Sequence, residues 1–149
     1  MMDLILWRHG EAASGEPDAE RELTPRGRKQ ARHAAAWLKD KLKGRYVLLA
    51  SPTERTRQTA LELTDDFELV KDLGPATTAT RVLEAAGWPG KEGTVIVVGH
   101  RPALNRTASL LMTGREREWE MKKGGLWWFQ TRQEGEPAFL RAVAGPKDL

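Results

Sequence analysis

Apolar positions along the chain fall into short continuous runs separated by amphipathic stretches. Leu4 to Trp7, Tyr46 to Ala50 and Thr94 to Val98 are uninterrupted apolar or β-branched runs, the pattern of strands buried on both faces of a parallel sheet. Each is followed by a helix start. Thr24-Pro25 offers an N-cap followed by proline, and Ala31, Ala34, Ala35, Leu38 and Leu42 recur at helical spacing up to Gly44. Ser51-Pro52 reads as a second cap-plus-proline start, with a helix to about Leu63. Phe67 to Val70 fits a short edge strand, and Ala76 to Ala86 a helix that Gly87-Trp88-Pro89-Gly90 stops. After Gly99-His100-Arg101-Pro102 another helix runs to about Met112.

The tail changes character. Leu126 to Thr131 and Ala138 to Val143 are apolar segments joined by Gln133-Glu134-Gly135-Glu136-Pro137, which predicts an antiparallel hairpin. Together these units predict an α/β fold: a three-layer sandwich with a mostly parallel central sheet, helices on both faces and a C-terminal antiparallel hairpin. At 149 residues the expectation is a single domain spanning 1–149.

Composition narrows the classes. With 40% hydrophobic and 30% charged residues, the chain has material for a core and does not read as disordered. No run approaches the ~20 apolar residues of a membrane-spanning helix, and Met1 to Trp7 leads into Arg8 without a signal-peptide pattern, so a cytoplasmic protein is expected. The 24 Lys and Arg are interleaved with 21 Asp and Glu, for a net charge of +3, which does not point to nucleic acid. There is no cysteine and there are three histidines, so thiolate chemistry is excluded and metal-free, cofactor-free histidine chemistry is expected.

Ligands of open α/β sheets bind beyond the carboxyl ends of the strands. There the sequence places Arg8-His9-Gly10, Ser51 to Arg55, and Gly99-His100. Arginine forks match phosphate oxygens bidentately, helix N-termini add backbone donors, and a neutral imidazole is a competent nucleophile. Arg8, Arg55, Arg57 and His100 are therefore candidate phosphate cations, and His9 the candidate nucleophile. His33, inside the first long helix, has no assigned role. Trp7, Trp127, Trp128 and Phe129 read as core or sheet-face residues. Trp88, Trp119, Lys122 and Lys123 read as loop residues near the site, with solvated surface the simpler account of the lysines.

Arg8-His9-Gly10, Ser51-Pro52 with Arg55 and Gln58-Thr59, and Gly99-His100 resemble, in this order, the histidine phosphatase superfamily, which includes the phosphoglycerate mutases. The short length, Asp18-Ala19-Glu20-Arg21-Glu22-Leu23-Thr24, His100-Arg101-Pro102-Ala103-Leu104 and the closing hairpin resemble its SixA-type phosphohistidine phosphatases. The resemblance spans essentially the whole chain. It implies that His9 is transiently phosphorylated, that Arg8, Arg55 and His100 line the phosphate pocket, and that Arg57 has no pocket counterpart. His100 facing a phosphate would be held as imidazolium. No residue matches the family's acid cleanly, and Glu11, Asp18 and Asp72 remain alternatives. A missing acid and short connections favour phosphohistidine on another protein as substrate. Small phosphate monoesters are the alternative, followed by a non-catalytic phosphate-binding module. Oligomeric state is left open.

Overall fold

The computed structural model describes residues 1–131 and 137–146. Six strands, β1 (Met2–Arg8), β2 (Tyr46–Ala50), β3 (Glu68–Leu69), β4 (Gly93–Gly99), β5 (Leu126–Thr131) and β6 (Phe139–Ala144), form one sheet in the order β3-β2-β4-β1-β5-β6. The first four are parallel where they pair. β5 runs antiparallel to β1, and β6 antiparallel to β5. The helices are α1 (Pro25–Lys41), α2 (Glu54–Leu61), α3 (Ala79–Ala86) and α4 (Ala103–Thr113).

The continuous apolar runs are explained by two cores, one on each face of the sheet. Leu4 and Leu6 of β1, with Val95 and Val97 of β4, pack against Val82 and Ala86 of α3 and Leu104 and Ala108 of α4. Ile5 and Trp7, with Ile96 and Val98, face the other way onto Ala34 and Leu38 of α1 and Ala60 of α2. Strand side chains alternate between faces, so a strand covered on both sides has no polar phase. Burying each large side chain contributes about 1.5–3 kcal/mol. The polar break in β1, Asp3, is satisfied from the hairpin, accepting from Trp128 Nε1 and Gln130 Nε2 at 2.9 Å each.

Helix boundaries differ from the sequence pattern where a tertiary contact intervenes. At α1 the Thr24 hydroxyl accepts from the Gly27 N–H at 3.0 Å, as a cap should, and the helix ends at Lys41, before Gly44. Ser51 is not a cap. Its N–H still belongs to the sheet, donating to the Val98 carbonyl, and its hydroxyl is engaged by His100, so α2 begins only at Glu54 behind Thr53. α2 ends at Leu61, two residues short of expectation. α3 starts at Ala79, because Thr78, and no residue near Ala76, supplies the cap, accepting from the Arg81 N–H at 3.2 Å. Gly87 ends α3 in the left-handed conformation with φ 73°. The hairpin forms as predicted, while Gln133 to Glu136 of its connection lie outside the described residues.

One close approach fixes the end of β1 against α1. A Cβ at Gly10 would collide with the Gly27 carbonyl oxygen, and one at Gly27 with the Glu11 carbonyl oxygen. Backbone packs on backbone here. Adding atoms to such a contact forces the backbone apart. Gly27→Ala is accordingly expected to lower the unfolding free energy by about 1–3 kcal/mol. Gly90→Ala, at a site with no atom within 4 Å of the new Cβ, should stay within roughly 0.5 kcal/mol. Urea unfolding of the two variants checks this, and equal effects would contradict the close-approach account.

Candidate functional site

Sheet register brings the three sequence signals to one level. Arg8 stands opposite Gly99 in the β1–β4 pairing, and Ala50 opposite Val98 in the β2–β4 pairing. The residues that follow, His9, Ser51 and His100, therefore leave the sheet side by side. His9 N–H donates to the Gly99 carbonyl at 3.2 Å, which ties the first signal to the last.

The two imidazoles lie edge to face with centroids 5.2 Å apart. His9 Nδ1 is 2.6 Å from the carbonyl oxygen of Gly10. A carbonyl only accepts, so Nδ1 carries the proton and Nε2 keeps its lone pair. His100 Nε2 shares a hydrogen bond of 2.8 Å with the hydroxyl of Ser51. The loop after His9 is held by α2: the Gly10 N–H donates to Thr59 Oγ1 at 3.2 Å, and that hydroxyl donates to the Arg55 carbonyl at 2.8 Å.

Arg55 is 5% exposed and comes from the first turn of α2. Its Nη1 donates to the Asp18 carbonyl at 2.9 Å, and its Nη2 reaches Asp18 Oδ2 at 3.0 Å. Arg21 pairs with the other carboxylate oxygen at 3.0 Å. Arg8 donates through Nη1 to the Met121 carbonyl at 2.6 Å, while its Nε is buried without a partner. An unpaired buried donor beside a second arginine is an anion-seeking arrangement. The turn after Met121 is bonded to the same strand end. The Gly124 N–H donates to the His9 carbonyl, Trp7 Nε1 to the Gly124 carbonyl, and the Arg8 N–H to the Gly125 carbonyl.

Burial dominates the electrostatics. Desolvation pushes His9 down to about 4; the Gly10 bond opposes this, and Arg55, Arg8 and Arg21 reinforce it. His100 falls to about 3, through desolvation first and then His9 and Arg55, with Asp18 opposing. Both rings are neutral at neutral pH. The imidazolium form anticipated for His100 therefore requires a compensating anion against the ring. Asp18 is held below the usual carboxylate range by its hydrogen bonds from Arg21 and Arg55.

The structure thus assembles His9, Arg8, Arg55 and His100, and it sorts the remaining candidates. Arg57 turns to Glu54, at 2.8 Å and 43% exposed, and takes no part. Of the three acids, Asp18 touches a pocket arginine. Glu11 faces Arg26 at 3.6 Å, and no hydrogen bond or ion pair among the described residues joins Asp72 to the site. Trp88 packs on the core under α3 and α4. Ser51, Gln58 and Thr59 were visible only as parts of a motif. Ser51 positions His100, while Gln58 Oε1 accepts from the Leu23 N–H at 2.8 Å and so holds the Asp18 loop. Gly27 gave no local signal. Among the described residues, no group of three or more His, Cys, Asp or Glu is placed to hold a metal ion.

Comparison with known proteins agrees with this geometry. A family model described as histidine phosphatase superfamily (branch 1) matches residues 4–76. A phosphohistidine phosphatase SixA homolog of Haemophilus influenzae is 30% identical over 126 residues, 74% of this chain and 77% of its own. The structure of the protein histidine phosphatase SixA complexed with tungstate matches with a TM-score of 0.82 at 26% identity, covering 98% of both chains. A phosphoserine phosphatase of Entamoeba histolytica shares the fold with a TM-score of 0.72 at 20% identity, covering 96% of each chain. The chain belongs to the histidine phosphatase superfamily, and its relatives there support a phosphatase hydrolase. Within that class, its sequence and its α/β fold are similar to the SixA type.

The pKa directions give a test. Histidines of the unfolded chain bind protons near pH 6.5, whereas His9 and His100 bind them only near 4 and 3 in the fold. Between these values the unfolded state holds more protons, so their contribution to stability is complete above 6.5 and is lost as pH falls towards 4 and 3. Ring nitrogen chemical shifts of His9 and His100 should remain those of neutral imidazole through pH 6.5, with His9 showing the Nδ1–H tautomer. Titration of either ring near 6.5 would contradict the buried-pair account.

Proposed function

We propose that this protein is a metal-independent phosphatase that removes the phosphoryl group from phosphohistidine on another protein, with His9 as nucleophile. The observation that carries the reading is the hydrogen bond of His9 Nδ1 to Gly10, which leaves Nε2 as the one lone pair on a buried, neutral ring between two arginines and His100. His9 Nε2 attacks phosphorus, the bond from phosphorus to the substrate imidazole breaks, and that nitrogen takes up a proton. Water then attacks the phosphorylated His9, releasing inorganic phosphate and restoring the ring with loss of a proton. Arg8, Arg55 and His100 neutralise the charge on the transferring oxygens. Cations supplied by the chain take the part that a metal ion takes in other phosphoryl-transfer sites.

The substrate class rests on the leaving group. Asp18 is the carboxylate at the pocket, and it is ionised and bound to Arg21 and Arg55, poorly suited to give a proton. An imidazole leaving group needs less help from an acid than an alkoxide does. The similarity to SixA-type proteins supports the same class. Small phosphate monoesters remain the second reading, favoured by the placement of Asp18 on Arg55. The intact set of two histidines and two arginines speaks against a module that only binds.

Turnover of a phosphohistidine-carrying protein against sugar and aryl phosphates tests the proposal. The wild type should favour the phosphohistidine protein, and His9→Ala should lose roughly 10³-fold or more on every substrate. Arg55→Ala should lose about 10²–10³-fold in kcat. Fast monoester hydrolysis that disappears in Asp18→Asn, with phosphohistidine left intact, would overturn it.

A further inference from the structure

Beside the phosphate pocket, on the far side of Arg8, lies a groove of about 830 Å³ between the start of α1, the start of α4 and the segment before β5. Arg8 lines it and belongs to the site as well, so the two adjoin through that side chain. Its charge is one-sided. Arg26 and Lys29 come from α1, Arg101 precedes α4, and Lys122 and Lys123 stand on the turn bonded to His9 and Arg8, against Glu118 and Glu120 as the lining carboxylates. Arg26 is paired with Glu11, but no hydrogen bond or ion pair among the described residues engages the side chains of Lys29, Arg101, Lys122 or Lys123, all exposed. Arg28 and Arg32 of α1 and Arg57 of α2, by contrast, are paired with Glu22, Glu62 and Glu54.

A second observation points to a ligand that brings N–H groups. Asn105, the third residue of α4, lines the groove and is 6% exposed. Its amide nitrogen donates to the Trp119 carbonyl, which fixes the orientation of the amide and leaves Oδ1 buried with no donor. Such an acceptor costs about 1–3 kcal/mol unless something donates to it. Trp119 itself is half-buried on Trp127 at 5.5 Å between centroids and gives the groove an apolar wall.

We propose that this groove binds an acidic stretch of the phosphorylated partner protein next to its phosphohistidine, with the four exposed cations facing carboxylates and Asn105 Oδ1 accepting a peptide N–H. The assignment rests on the phosphoprotein reading above. A peptide fits better than a small metabolite. Metabolite sites fix their ligand with a few precisely placed polar groups, whereas this groove is rimmed by flexible ammonium groups that act as point charges. Cations of this kind raise encounter rate and selectivity and respond to salt. They set KM and leave the phosphoryl chemistry to the pocket.

Two synthetic peptides test this, each with one histidine phosphorylated by phosphoramidate, one flanked by Asp and Glu and the other by Ser and Asn. At low salt the wild type should favour the acidic peptide about tenfold or more in kcat/KM, mainly through KM, and added salt should shrink the preference. The triple variant Lys29→Glu, Lys122→Glu, Lys123→Glu should lose the preference while keeping kcat on the neutral peptide. Equal turnover of both peptides by the wild type, or a preference that survives the triple variant, would overturn the groove assignment and leave the phosphohistidine reading standing. Failure on both peptides alongside rapid aryl phosphate hydrolysis would overturn both. Loss by the triple variant of nucleoside polyphosphate turnover, with peptide preference intact, would assign the groove to a small polyanion instead.

Discussion

The 2.6 Å hydrogen bond between His9 Nδ1 and the Gly10 carbonyl decides which face of the imidazole is free to react. That bond depends on a chain of backbone contacts. Gly10 stays in place because its N–H donates to Thr59 and because its bare Cα sits against the Gly27 carbonyl. His9 is pinned by the Gly99 carbonyl on one side and by the Gly124 N–H on the other. Strands β1 and β4, helices α1 and α2, and the turn before β5 thus all converge on the orientation of one ring. Preorganisation of this kind removes rotational freedom before a substrate arrives.

The same enclosure sets the electrostatics. Burying two imidazoles beside two guanidinium groups disfavours the protonated rings, so His9 remains available as a lone-pair donor at neutral pH. An incoming phosphoryl group reverses the balance for His100, which then gains from carrying a proton. Asp18, bonded to Arg55 through both its carbonyl and its carboxylate, offers that arginine a partner of the same sign as a phosphate. A ligand oxygen and Asp18 thus draw on one guanidinium, whose five donors are enough for both.

The sheet and most helices were legible in the sequence because their signals are local. Thr24-Pro25 caps α1 through the Gly27 N–H three residues on, and the runs in β1, β2 and β4 are apolar because both faces are covered. Ser51-Pro52 misled for the opposite reason. Ser51 serves a histidine 49 residues away, so a residue type that caps helices is used here to hold a ring. Gly27 was invisible because what it needs to avoid is the carbonyl of Glu11, a contact no helical pattern announces. His9, Arg8, Arg55 and His100 were named from their place at strand ends, and they do stand together. The acid could not be chosen from Glu11, Asp18 and Asp72 by spacing, since only the fold of the loop around Asp18 puts one of them on Arg55. Lys122 and Lys123 read as loop residues near the site, with solvated surface the simpler account, and the pairing of β1 with β5 puts them on the groove beside it.

The central claim is that phosphoryl transfer passes through Nε2 of His9. Rapid alkaline quench of the enzyme during turnover, followed by peptide mapping and phosphorus NMR of the modified peptide, tests it most directly. The account predicts an acid-labile phosphoryl group on His9, bonded at Nε2, that forms and decays at rates compatible with turnover. A phosphoryl group at Nδ1 or on His100, or steady turnover with no phosphorylated enzyme at any time, would contradict it.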